Sequence, residues 1–177
     1  FLNFMIQRCM KGIDIDSLFL VDRNYLTVKL KELSVGSKIN VSLVCSQCSR
    51  EGSLTIDLNI LPINSVDTEI PLVVELPEIK KQVKIVPPKV RDEHFIINFD
   101  TLCDNLWRFV KEIDGVSDAP VISAVLNKLP ISDVHYLLRK VSMSDFGIQN
   151  KVNYLCGCGK EQEVEVPLTE NFFGDSF

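Results

Sequence analysis

Histidine is almost missing from this chain of 177 residues: there are two, His94 and His135. His94, in "RDEHF", has acidic neighbours and no nucleophile at motif spacing, and reads as a surface-loop residue. His135 reads as a solvated or packed side chain. A glycine-rich phosphate loop, a nucleophile elbow and a His-Glu-x-x-His helix are all missing. The carboxylates are scattered, so no catalytic residue is assigned and no enzyme is expected. Runs of basic residues are also lacking, and the net charge is −5 with a pI near 5.1. Binders of a phosphate backbone display clustered Lys and Arg, so nucleic acid is not expected as the main partner. No apolar run is long enough for a helical membrane span, and the N-terminus does not read as a signal peptide. The protein is therefore expected inside a cell. Position 1 is Phe1 rather than Met, and "FLNFMIQRCMKG" reads as mid-helix, with a stripe of Leu2, Met5 and Cys9 stopping at Gly12. The natural N-terminus is expected to lie upstream.

Hydrophobic residues make up 46% of the chain, enough to bury the core of one compact domain or two small ones. Six cysteines stand against that ordinary background. With no secreted context, a disulfide framework is not the first reading. Cys9 and Cys103 lie alone on apolar helix faces, as small hydrophobes. The other four fall in two close pairs, Cys45/Cys48 in "VSLVCSQCSREGSLTIDL" and Cys156/Cys158 in "VNYLCGCGKEQEVEVPL".

Those two stretches belong to a longer self-similarity. An offset of 111 carries Asp22 to Asp133, Tyr25 to Tyr136, Lys29 to Lys140, Gly36 to Gly147 and Cys45 to Cys156. After the first cysteine the second copy is one residue shorter. The offset becomes 110, matching Cys48 to Cys158, Arg50 to Lys160, Glu51 to Glu161 and Ile56 to Val166. Each copy reads as a helix, a strand, a cysteine turn and a strand. In the second, Val134, Leu137, Leu138 and Val141 form an apolar stripe, with Ser132 as N-cap and Gly147 past the end; the first offers Leu26, Leu30 and Leu33, with Gly36 as the stop. The alternation in "KINVSLVC" and "SLTIDL" predicts a β-hairpin with the cysteines at its tip.

Between the copies, residues 60–98 are rich in Val, Ile and Pro, and prolines at 62, 71, 77, 87 and 88 confine the short runs to edge strands or extended arms. A helix capped by Asp100 follows, with Leu102, Leu106, Phe109 and Ile113 as its stripe and Gly115 as its end. Another opens near Pro120 and closes at Pro130. The expected fold is α+β: an internally duplicated helix plus cysteine-knuckle β-hairpin, zinc-ribbon-like, with an inserted β-rich arm. The segments are 1–58 (first repeat), 59–98 (arm) and 99–177 (second repeat).

Two facing knuckles can supply a tetrahedral zinc site. Cys45, Cys48, Cys156 and Cys158 are accordingly the candidate ligands of one structural zinc stapling the repeats, with Arg50 and Lys160 placed to offset a site charge of −2. Reduced metal-free knuckles, adventitious disulfides and a redox pair are the competing readings; one residue between Cys156 and Cys158 is fewer than zinc knuckles usually have. Beyond the last strand, Phe172, Phe173 and Phe177 either cover the chain's own core or anchor a partner.

The stretch 97–177, ending in "ENFFGDSF", together with the helix and Cys-x-x-Cys hairpin of 22–58, resembles the baseplate hub proteins of contractile-tailed bacteriophages of the T-even type. The resemblance implies a non-enzymatic role in building the hub, as a subunit or as an assembly factor or chaperone. It also implies other hub and tail proteins as partners, without membrane contact. Such a protein works in the host cytoplasm during assembly and is compatible with a place in the virion baseplate and with self-association. A zinc-ribbon adaptor for nucleic acid or another protein complex is the alternative.

Overall fold

Leu2–Cys9 forms the first helix, α1, and Leu20–Ser34 the second, α2. The computed structural model describes residues 2–65, 69–143, 145–168 and 170–173. Helices and antiparallel strands are mixed, an α+β fold, and the chain divides into two units, each assembled from separated stretches. The first gathers 1–13, 22–64 and 147–177; the second gathers 14–21 and 65–146.

In the first unit, β1 (Lys38–Val44) and β2 (Glu51–Asp57) pair from Lys38↔Asp57 to Val44↔Glu51. Their alternation turns Ile39, Val41, Leu54 and Ile56 inward. The short β3 (Ile63–Asn64) pairs with β7 (Gly147–Ile148), and β8 (Lys151–Leu155) with β9 (Glu161–Glu165) makes the second hairpin. Val28, Ile56, Leu58, Ile148, Val166, Phe172 and Phe173 form the core. The buried face of α2 carries Thr27, Val28 and Lys31, whereas Leu33, expected in its apolar stripe, is exposed. Lys31 is tolerated there because its ammonium lies 5.5 Å from the centre of the Phe172 ring. Cys9, expected as a packed hydrophobe, is exposed at the end of α1.

In the second unit the middle stretch contributes two strands to a three-stranded sheet. β4 (Leu72–Glu75) and β5 (Gln82–Ile85) form a hairpin, and β6 (Val110–Ile113) pairs on the other side of β5, making β5 a central strand. Pro71, Pro77 and Pro87 stand outside the paired residues, so no ladder bond is lost to them. Leu72, Leu76, Val83 and Ile85 pack with residues of α3 (Phe99–Phe109), α4 (Ala119–Leu126) and α5 (Ile131–Ser142) in one core.

The caps also differ from expectation at two helices. Asn98, not Asp100, caps α3 by accepting the Thr101 N–H at 2.9 Å. α5 starts after Pro130, leaving Ser132 in the first turn bonded to Glu78, and ends at Met143 in the left-handed conformation, not at Gly147. The buried carboxylate of Asp133 accepts the backbone N–H groups of Glu78 at 2.8 Å and Ile79 at 3.2 Å, tying α5 to the β4–β5 turn.

Candidate metal centre

The tip of each hairpin is a turn that brings two thiols onto one side. In the first, the Cys45 N–H donates to the Arg50 carbonyl at 2.9 Å and the Ser49 N–H to the Cys45 carbonyl at 2.9 Å. In the second, the Cys156 N–H donates to the Lys160 carbonyl at 2.9 Å and the Gly159 N–H to the Cys156 carbonyl at 2.8 Å. The closing bonds are equivalent in sequence, and so are the left-handed residues, Ser49 at φ 54° and Gly159 at φ 86°. One residue fewer is absorbed by tightening the turn from five residues to four. The short Cys-x-Cys spacing thus leaves the frame of the knuckle intact.

The two tips meet within the first unit. Cys45 Sγ lies 3.7 Å from Cys158 Sγ, and Cys48 Sγ 3.8 Å from Cys156 Sγ. Each pair joins the first cysteine of one knuckle to the second of the other, as a local twofold relation requires. All four sulfurs lie within 4.8 Å of one another. Four sulfurs placed tetrahedrally at about 2.3 Å from a zinc ion stand about 3.8 Å apart. The two crosswise pairs have the length of such a tetrahedral edge, and the four thiols could hold a metal ion with protein ligands alone. Cys45 and Cys156 are buried, Cys48 and Cys158 exposed.

The environment polarises the set. Backbone N–H groups of Cys48 and Gln47 directed at the Cys45 sulfur, helped by the Cys156 and Cys48 thiols, outweigh burial and bring its pKa down from 9.0 to about 6. Cys158 is pushed up from 9.0 to about 11: the Lys160 N–H lowers it, but burial and the neighbouring sulfurs of Cys156, Cys48 and Cys45 prevail. Cys45 is ready to ionise while Cys158 resists a further negative charge, which a cation would relieve.

Two residues that the sequence did not single out hold the tips together. Gln162 on β9 accepts the Ser46 N–H at 3.1 Å through Oε1 and donates to the Val44 carbonyl at 3.4 Å through Nε2. A polar residue at an inward position of an alternating strand was its only signal. Gly52 admits Tyr154: a Cβ at Gly52 would stand 3.2 Å from the phenol oxygen. Arg50 reaches the second knuckle, its Nη1 3.4 Å from where a Gly157 Cβ would be.

Phe172 and Phe173 are 2% and 4% exposed and pack in the first unit's core with their rings edge to face. Phe177 lies outside the described residues. His94 and His135 belong to the second unit, tilted against Phe95 and edge-on to Phe99 respectively, and take no part in the thiol cluster.

No helix among the described residues is long and apolar enough to cross a membrane. No curated protein and no solved structure matches the chain. Residues 1–118 match the family described as T4 bacteriophage base plate protein, a stretch that includes the first knuckle and stops short of the second. With two thirds of its length matched, the chain belongs to the T4 bacteriophage base plate protein family.

Proposed function

We propose that this protein acts without catalysis in assembling the hub of the phage tail baseplate, as an assembly factor or hub subunit that contacts other tail proteins. The observation that carries the reading is the family match over residues 1–118. A base plate family suggests a structural or assembly role, exercised in the host cytoplasm and ending in the virion tail. Cys45, Cys48, Cys156 and Cys158 hold one structural zinc, which closes the first unit by joining its two hairpins. The sulfur spacings of 3.7 and 3.8 Å support zinc, because they match the edge of a zinc–thiolate tetrahedron. The zinc joins two descendants of one ancestral helix-plus-hairpin unit, the repeats of 1–58 and 99–177 around residues 59–98. Equivalent closing bonds and crosswise thiol pairs support that descent.

The test is an infection in which the chain is absent, with baseplates examined by electron microscopy. Wedges lacking a hub, restored by the wild-type chain supplied in trans, are the expected result. Complete baseplates formed without the chain would overturn the reading.

A further inference from the structure

The chain carries five more acidic than basic residues, yet one cleft of the second unit reverses the balance. This cleft, about 380 Å³, is lined by Lys89, Arg91, Arg108 and Lys111, with Val86 and Pro87 among its apolar residues. Its single carboxylate, Asp92, is engaged by the Lys89 backbone N–H at 3.0 Å. None of the four cations is in an ion pair among the described residues, whereas Lys84, Lys81 and Arg139 in the same unit are paired with Glu112, Asp114 and Asp145.

The cationic heads are held by other means. The Arg108 guanidinium stacks 4.1 Å from the centre of the Phe95 ring and 4.6 Å from that of Trp107, and its Nε donates to Asn105 Oδ1 at 2.9 Å. Its two Nη groups are left for a ligand. Lys111 Nζ donates to the Arg108 carbonyl at 2.9 Å, and Lys89 Nζ lies 5.7 Å from the centre of the Phe19 ring. An arginine fixed in this way meets a carboxylate with little further loss of freedom.

We infer that this cleft docks an acidic segment of a partner protein, side-chain carboxylates on the Arg108 fork and between Lys89, Arg91 and Lys111, with an apolar neighbour beside Val86 and Pro87. The opposite charge and the apolar part of the lining favour a peptide. A nucleic-acid backbone would need cations spread along its length, and here they are gathered in one cleft of an acidic chain. The inference rests on the assembly role only for the source of the segment; the binding assay below reads the cleft alone, so either can fail without the other.

The full chain is titrated into a fluorescein-labelled peptide of alternating Glu and Leu, followed by anisotropy. Saturable binding is expected, weakened by salt and roughly tenfold weaker in Arg108→Gln and in Lys111→Gln, as loss of one charge-assisted contact implies. Lys38→Gln, in the first unit, leaves it unchanged. Circular dichroism checks the fold of each variant, and Arg91→Gln serves if Arg108→Gln is unstable. Equal binding of the peptide with Gln in place of Glu, or equal binding by the cleft variants, overturns the inference. So does displacement by inorganic phosphate or a single-stranded oligonucleotide at concentrations where the Glu peptide does not compete.

Discussion

Gln162 reaches across 116 positions of chain to Ser46, its side-chain oxygen accepting the Ser46 N–H at 3.1 Å. That bond, with the one from its amide nitrogen to the Val44 carbonyl, joins the two knuckles without using a thiol. Gln162→Leu keeps the bulk and removes both bonds. A loss of about 1 kcal/mol is expected in urea unfolding of the metal-free protein, since the Ser46 N–H is exposed and water can replace the partner.

The thiol cluster makes a sharper prediction. Elemental mass spectrometry of the purified chain should give one zinc per molecule, and Cys45→Ser and Cys156→Ser should each abolish it, because both knuckles serve one site. Thermal midpoints should fall by more than about 5 °C in both. A variant that loses one knuckle and keeps full zinc would refute a shared site.

Gly159 tests the shortened knuckle. With φ at 86°, Gly159→Ala places a side chain in the left-handed region and should cost about 1 kcal/mol of stability, with weaker zinc retention against a chelator. Ser49→Gly, at the equivalent position of the first knuckle, should be neutral or slightly stabilising.

The pH dependence of the metal-free form follows from two opposed shifts. Cys45 has its pKa lowered to about 6, so the stability it contributes is present in full above 9.0 and is lost as pH falls through 6. Cys158, raised to about 11, contributes in full below 9.0 and loses it as pH rises through 11. Ultraviolet absorbance should show one thiolate forming near pH 6 and another near 11; zinc should erase both steps until acid displaces it.

In the second unit, Asp133→Ala should cost about 3 kcal/mol by leaving the Glu78 and Ile79 N–H groups without their buried acceptor, and Asp133→Asn, which keeps one acceptor, about half as much. The midpoint of urea unfolding measures both.

Both hairpins were legible in the sequence, because strict alternation and a tip of turn residues specify strand, register and knuckle locally. So was the gathering of four cysteines, since each close pair stands at the tip of a legible hairpin and the four sulfurs come together. The pairing of β6 on β5 was not: Ile113 continues the spacing of Leu106 and Phe109, and only pairing with Val83, Lys84 and Ile85, distant in sequence, makes Val110–Ile113 a strand. The prolines of the middle stretch do not by themselves show where its ladders end. α2 shows the same limit: of its leucines Leu30 packs against the core, but Leu33 is exposed and the buried positions are Thr27, Val28 and Lys31.

Cys48 and Cys156 are 108 positions apart, and this distance is also an interval of time. At about 5–20 residues per second, the ribosome delivers the second knuckle roughly 5–20 s after the first. For that interval the nascent chain presents a two-thiol half-site and one hairpin lacking its mate, while the β4–β5 hairpin and α3–α5 can already fold. Completion of the first unit therefore waits on synthesis of the second hairpin, and a chain interrupted before Cys156 lacks half of the thiol set.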